Sequence, residues 1–190
     1  MATIVGISGA LRRGSCNAAL LRSAVELAPV GFEIEVVSIR EFPLYDGDLE
    51  AEQGIPEPVR IVKDRITACD GLLLVTPEYN NSIPGVFKNA IDWMSRPPKD
   101  IARVFGGRPV ALMGATPGPG GTILAHAAWL PVLRTLGTEF WSGPRVYVSN
   151  AAKVFDANGR LLDEGIRAAV ARHLAGFAEF VARTRVPRNA

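Results

Sequence analysis

Gly71-Leu72-Leu73-Leu74-Val75-Thr76 is the most apolar stretch of the chain. Its run of large aliphatic side chains has no polar alternation, so we expect a strand that is buried on both faces. Such strands lie at the centre of parallel sheets that helices cover. Amphipathic patterns stand on either side of it, at Glu57 to Cys69 before the strand and at Pro84 to Ser95 after it. The stretch therefore predicts the centre of an α/β fold.

The same alternation of short apolar runs and helical patterns continues to both ends of the chain. Further strands are predicted at Thr3 to Ser8, Phe32 to Ser38, Pro109 to Ala115 and, broken at Ser142-Gly143-Pro144, Glu139 to Ser149. Further helices are predicted at Asn17 to Ala28, Gly120 to Leu136 and Asp163 to Arg183. Strands that alternate with such helices form right-handed βαβ units. We therefore predict a flavodoxin-like, doubly wound sandwich whose five-stranded parallel sheet has the order 2-1-3-4-5.

The organisation along the chain is predicted to be simple. Residues 1–185 form one domain, and residues 186–190 form a frayed C-terminal tail. Residues 42–58, rich in Gly, Pro and acidic residues, are predicted to be a long loop.

Composition and charge exclude several classes of protein. The 190 residues carry 21 Lys and Arg against 19 Asp and Glu, a balance unlike that of a dedicated nucleic-acid binder. No apolar run approaches the roughly 18 residues that a membrane-spanning helix needs, and the first residues lack the basic region of a signal peptide. Two cysteines without a C-x-x-C pattern and two histidines indicate reduced thiols and no metal site. We expect a cytoplasmic protein with no nucleic-acid or membrane partner.

Three loops hold the chemistry that this fold predicts. In an open α/β sheet, ligands bind beyond the carboxyl ends of the strands, where the strand order reverses. In the order 2-1-3-4-5 that point brings together the first loop (residues 9–17), the second loop (residues 76–85) and the third loop (residues 116–122). We therefore look for a binding site in these three segments.

The first loop has the features of a phosphate site. It leaves a buried strand and enters a helix, so its backbone N–H groups and the helix N-terminus favour an anion. Ser15 and Asn17 can cap the helix or bond phosphate oxygens, and Arg12 can form paired bonds to a phosphate. An ordinary capped helix with solvated arginines is the alternative that this loop alone leaves open.

The second and third loops suit a flat ring. Tyr79 offers an aromatic face, and Asn80 offers both a donor and an acceptor to the edge of a heterocycle. The glycines of the third loop allow its backbone to approach a planar ligand closely. The alternatives are an ordinary Asn-containing turn and a stiff connector to the next helix.

At this point the sequence resembles the NADPH-dependent FMN reductase family, which includes bacterial quinone and chromate reductases. The family pattern G-S-L-R-x-x-S-x-N is matched at Gly9, Leu11, Arg12, Ser15 and Asn17. The longer and more specific pattern P-E-Y-N-x-S-x-P-G-x-x-K-N-A-I-D-W is matched from Pro77 to Trp93, and the third pattern is carried by Pro117-Gly118 and Gly121-Thr122.

The resemblance implies bound FMN, with NADPH or NADH as electron donor. The implied cofactor contacts are Gly9, Ala10, Leu11, Arg12, Ser15 and Asn17 at the phosphate, and Pro77, Glu78, Tyr79, Asn80, Thr116, Pro117 and Gly118 at the ring. Ala10 stands where the family has a phosphate-contacting Ser, and Thr116 keeps the hydroxyl of the family's Ser. Because the flavin supplies the chemistry, no side chain is expected to be catalytic.

The implied activity is hydride transfer from NAD(P)H to FMN, followed by reduction of a small acceptor such as a quinone, chromate, an azo dye or free flavin. A homodimer or homotetramer is also implied, with the helices around Asp92-Trp93 and after Gly121 as candidate interfaces. An alternative is a flavodoxin-type electron carrier with a protein partner, which the absence of strong acidity disfavours. The phosphatase-like spacing from Cys16 to Ser23 is rejected, because its intervening residues form a good helix.

Overall fold

The computed structural model describes residues 1–184, and a parallel sheet runs through its middle. The strands are β1 (Ala2–Ser8), β2 (Phe32–Val37), β3 (Gly71–Val75), β4 (Pro109–Ala115), β5 (Glu139–Phe140) and β6 (Tyr147–Val148). Their order is β2-β1-β3-β4-β5, with β6 also paired to β4, and the pairings are parallel. The predicted flavodoxin-like order is confirmed. The predicted tail at residues 186–190 lies outside the described residues.

The fifth position of the sheet is shared by two short strands. β5 pairs with Pro109 and Val110, whereas β6 pairs with Gly114 and Ala115 further along β4. Residues 141–146 lie between the two pieces, as expected for a segment that contains Gly143 and Pro144. The break that the sequence predicts is thus present, and it opens the sheet beside the helix that follows β4.

Helices cover both faces of the sheet. They are α1 (Cys16–Glu26), α2 (Gly47–Gln53), α3 (Glu57–Ala68), α4 (Gly85–Met94), α5 (Ile101–Val104), α6 (Ile123–Thr135) and α7 (Glu164–Thr184). α2 interrupts the segment that we predicted as a long loop, so that prediction is wrong there. Asp46 caps α2 by accepting a hydrogen bond from the Asp48 amide at 2.9 Å. Acidic residues in the first turn of α2 interact favourably with the positive end of the helix dipole.

The core consists of two apolar clusters, one on each face of the sheet. β3 is buried along its whole length and contributes Leu73 and Val75 to one cluster and Leu72 and Leu74 to the other. α1 and α7 cover the first cluster, and α3, α4 and α6 cover the second. The prediction that the central strand is buried on both faces is therefore confirmed. None of the helices within residues 1–184 is both long and apolar enough to cross a membrane.

Candidate cofactor site

The sheet register brings the first and second loops to the same edge. Ser8 at the end of β1 pairs with Val75, and Val75 pairs with Met113 of β4. Beyond the strands, the Gly9 amide donates to the Val75 carbonyl and the Thr76 amide donates to the Met113 carbonyl, each at 2.9 Å. The loops therefore diverge from adjacent, hydrogen-bonded strand ends, as the topology predicts.

The first loop presents free donors and unpaired positive charge. Gly9 lies so close to Phe87 that a Cβ atom there would be 2.1 Å from the ring, so this position admits only glycine without repacking. Within residues 1–184, the backbone N–H groups of residues 11–14 donate to no other protein group. Arg12 and Arg13 are exposed, and neither lies within ion-pair distance of a described carboxylate. Such a set of donors suits an anion.

Two polar side chains of the first loop are buried and already bonded. Ser15 caps α1, its hydroxyl accepting from the amides of Asn17 and Ala18 at 3.2 Å each. The Asn17 side-chain amide donates to the Ala115 carbonyl at 2.8 Å and accepts from the Ala115 amide at 2.9 Å. Asn17 therefore joins the start of α1 to the end of β4. Its predicted contact with phosphate stays a prediction, and its observed bonds are a structural connection that the sequence reasoning missed.

The second loop contains a tight hairpin that displays Tyr79. Tyr79 and Ser82 exchange backbone hydrogen bonds at 3.2 and 3.1 Å. Asn80 and Asn81 between them have φ angles of 49° and 60°, the left-handed region that a two-residue type I′ turn requires at both central positions. The turn holds Tyr79 with 46% of its surface exposed. This geometry makes an ordered aromatic wall rather than a loose loop.

The base of the second loop is attached to α6. The Glu78 carboxylate accepts from the Ala125 amide at 2.9 Å, in the first turn of the helix. The Trp129 indole donates to the Thr76 hydroxyl at 3.2 Å, and that hydroxyl donates to the Pro77 carbonyl at 2.8 Å. A carboxylate at a helix N-terminus is favourable. These bonds fix the second loop against the helix that follows the third loop.

The third loop is held from the other side by the chain after β6. The Thr116 amide donates to the Val148 carbonyl at 2.9 Å, and the Thr116 carbonyl accepts from the Ala151 amide at 3.0 Å. Pro117 is exposed, and a Cβ atom at Gly118 would meet only the Thr116 hydroxyl at 3.9 Å. The backbone of this loop is therefore anchored at its start and open toward its tip.

A second arginine reaches the first loop, and the sequence reasoning missed it. Arg40, which follows β2, donates a hydrogen bond to the Leu11 carbonyl. The carbonyl and the following N–H of a trans peptide point in opposite directions, so this bond turns the Arg12 amide away from Arg40. Nothing in the sequence marks Arg40 as a residue of the site. It lies beside the first loop because β2, which it follows, pairs with β1.

The Ala10 position lacks the hydroxyl of the family pattern, and a neighbouring hydroxyl lies close to it. The Ala10 amide is 3.4 Å from the hydroxyl oxygen of Ser8. Ser8 is the last residue of β1. A serine hydroxyl therefore lies beside the first loop, although residue 10 itself is an alanine.

The second half of the long motif holds a neighbouring loop. Asn89 accepts from the Tyr45 amide at 2.8 Å and donates to the Pro43 carbonyl at 2.9 Å, and the Trp93 indole donates to the same carbonyl at 2.9 Å. Residues 42–46 are thereby fastened to α4. Trp93 is fully buried, so its role is in the core rather than on an exposed interface.

The positive charge of Arg96, near residues 42–46, is compensated by a carboxylate. Arg96 lies 2.8 Å from the Glu50 carboxylate, which also accepts from the Tyr45 hydroxyl at 2.9 Å. From the sequence, Arg96 or Lys99 is a candidate attractor of anionic substrates, and ordinary solvated surface charge is the favoured alternative. Glu50 compensates the charge of Arg96, and Lys99 is exposed, so the role of Lys99 stays a prediction.

The donor set of the three loops fits flavin mononucleotide. Free backbone amides and Arg12 match the phosphate, which needs several N–H donors and a cation. Tyr79 and the open glycine-containing backbone of the third loop match a flat ring system. The residues present are therefore suited to the cofactor that the motifs predict.

Comparison with known families and proteins agrees with this fit. The family model for NADPH-dependent FMN reductase matches residues 2–153. An NAD(P)H-dependent FMN reductase of Pseudomonas aeruginosa is 43% identical over 182 residues, covering 96% of each chain. A 2-hydroxy-1,4-benzoquinone reductase of a Burkholderia species is 38% identical over 183 residues, covering 96% of this chain and 98% of the relative.

Solved structures give the same result. The flavoenzyme NAD(P)H:(acceptor) oxidoreductase FerB of Paracoccus denitrificans superposes with a TM-score of 0.87 at 34% identity, covering 98% of this chain and 100% of that one. These relatives are reductases, so the alternative of a flavodoxin-type carrier is not favoured. The chain belongs to the NADPH-dependent FMN reductase family, as an FMN-dependent oxidoreductase that takes electrons from NAD(P)H.

Proposed function

We propose that quinones are the acceptors that this enzyme reduces, with chromate, azo dyes and free flavin as further small acceptors to test. The observation that carries the proposal is the exposed ring of Tyr79, held by a rigid hairpin at the same sheet edge as the phosphate-type loop. A flat acceptor can stack on such a ring. The quinone reductase activity named for the Burkholderia relative supports the same class of acceptor.

The residues of the chain have separate tasks in this proposal. Arg12 and the free amides of the first loop bind the phosphate, and Glu78 keeps the second loop in position through the Ala125 amide. Bound FMN supplies the redox chemistry that connects NAD(P)H with the acceptor. Tyr79 forms the wall against which the acceptor is oriented, so binding and orientation are the contributions of the protein.

Replacing Tyr79 by alanine tests the acceptor wall. Loss of one aromatic contact is worth about 0.5–1.5 kcal/mol, so the KM for 1,4-benzoquinone should rise roughly 2- to 13-fold. Tyr79→Phe keeps the ring and should retain the wild-type KM. The measurement is steady-state oxidation of NADPH at varied quinone, with the FMN content of each variant matched. An unchanged KM in Tyr79→Ala would remove this residue from the acceptor site.

We also propose that the enzyme is a homodimer or homotetramer that uses the outer face of α6. Three large apolar side chains of this helix are about half exposed: Ile123 at 51%, Leu124 at 48% and Leu130 at 46%. An apolar strip of this kind on a helix commonly marks a protein interface. On α4 the exposed part is smaller, because Trp93 is buried.

A charge placed in that strip should break the assembly. Leu124→Asp would bury a carboxylate in the interface and should lower the mass in solution toward one subunit. Leu162→Asp, at a leucine of similar exposure (56%) outside α6, is the control and should leave the mass unchanged. Light scattering after gel filtration measures both. A wild-type mass equal to one subunit would contradict the proposal before either variant is needed.

The proposed location is the cytoplasm. Cys16 and Cys69 are both free thiols in the structure. Free thiols are typical of a reducing compartment.

A further inference from the structure

A second pocket lies beside the break in the fifth strand, between α6 and α7. It has a volume of about 320 Å³, within the range of small-molecule sites. None of the thirteen residues predicted to contact the cofactor lines it. Its walls are mainly apolar and aromatic, and they include Leu112, Ile123, Leu130, Phe140, Trp141 and Tyr147. Ile123 and Leu130 also belong to the exposed strip of α6 that we propose as a subunit contact, so the pocket opens at the edge of that contact.

Two buried histidines also line this pocket. His126 of α6 is 7% exposed and His173 of α7 is 2% exposed. The Nε2 atoms of both rings are buried and have no hydrogen-bond partner among the described residues. Buried polar atoms in proteins are nearly always bonded, so each of these nitrogens needs a donor, which either an ordered water or a ligand hydroxyl supplies.

The protonation of these rings defines the kind of partner that they need. His173 Nδ1 lies 2.6 Å from the Pro144 carbonyl, which can only accept, so Nδ1 carries the proton. Burial lowers the pKa of His173, so its ring is neutral near pH 7 and Nε2 is an acceptor. Burial lowers the pKa of His126 to about 4, with a smaller contribution from the positive charge of Arg145. This ring is also neutral.

Each histidine is packed against an aromatic ring of the pocket. His126 meets Tyr147 edge to face, with ring centroids 4.6 Å apart, and His173 meets Trp141 in the same way at 4.7 Å. A ligand that satisfies the histidines would therefore also contact flat aromatic walls, which favour an aromatic ring.

We propose that this pocket binds a small hydroxylated aromatic molecule, a phenol or a hydroquinone, whose O–H donates to Nε2 of His126 or His173. A quinone of the same shape has only acceptor oxygens, so it would face the histidine lone pairs without a proton between them. The pocket thus discriminates reduced from oxidised rings. A hydroquinone would be the product of the proposed reaction, and this connection alone rests on the proposed function.

The test uses the FMN-loaded wild-type protein at neutral pH, with phenol and anisole as probes. The two have similar rings, and only phenol can donate a hydrogen bond. Long-range ¹H–¹⁵N spectra of the histidine side chains report directly on Nε2. Phenol should shift the Nε2 resonance of His126 or His173 in a saturable way, and anisole should not.

Two variants locate the binding. Ser142 is exposed and lines the pocket from the segment between β5 and β6, so Ser142→Phe should fill it and weaken phenol binding at least tenfold. Ala168→Phe, on an exposed position of α7 outside the pocket, should bind phenol as the wild type does. Equal responses to phenol and anisole, no response to either, or full affinity in Ser142→Phe would overturn the proposal. The readout does not depend on turnover, so failure here is distinct from failure of the quinone assignment.

Discussion

Arg12→Ala is expected to weaken FMN binding roughly 10- to 150-fold. The variant loses hydrogen bonds to a charged phosphate, which are worth about 1.5–3 kcal/mol. Arg12 is exposed on the first loop, and no described carboxylate competes for its guanidinium. Its guanidinium donates a long hydrogen bond to the thiol of Cys16, at 3.9 Å. Titration of the apoprotein with FMN, followed by the quenching of flavin fluorescence, measures the Kd.

Arg13→Ala provides a matched control for that measurement. Arg13 is the next residue, is also exposed and does not match a defined position of the family pattern. A general loss of positive charge would weaken FMN binding similarly in both variants, whereas a directed contact would weaken it in Arg12→Ala alone. An unchanged Kd in Arg12→Ala would remove this residue from the phosphate site.

Asn17→Ala is expected to lower the free energy of unfolding of the apoprotein by about 2–4 kcal/mol. The variant loses both hydrogen bonds between the side chain and Ala115. It also leaves the N–H and C=O of a fully buried residue on β4 without partners, which costs more than the bonds themselves contribute. Urea denaturation of the FMN-free protein isolates this effect from any contact with the cofactor.

Asn158→Ala is the control for asparagine removal, because Asn158 is exposed and its side chain makes no hydrogen bond within residues 1–184. Its unfolding free energy should stay within about 0.5 kcal/mol of the wild type. Equal stability of the Asn17 and Asn158 variants would show that the connection between α1 and β4 is not needed in solution.

The sequence predicts the central strands well because their burial is visible locally. Leu72 to Val75 can be placed only inside a sheet covered on both faces, and the structure confirms this. The break at Gly143-Pro144 is also local, since neither residue suits a strand interior. Helix α2 is missed because it is short and buries no residue, so it has no apolar face to reveal it.

The features of the site that could not be predicted all depend on contacts between residues far apart in the sequence. Asn17 bonds to Ala115, 98 residues away, and Arg40 reaches Leu11, 29 residues away. In the sequence, Asn17 matches a helix cap or a phosphate ligand equally well, and only the fold shows its buried bonds to β4. The three loops could be predicted from topology, but the partner of each side chain could not.

The most direct test of the account is an anaerobic visible spectrum of the FMN-loaded protein before and after addition of NADPH, with NADH in parallel. The flavin band should bleach rapidly, and 1,4-benzoquinone should restore it. A protein that binds FMN but is reduced by neither nucleotide would contradict the reductase assignment. A protein that binds no FMN would contradict the site itself.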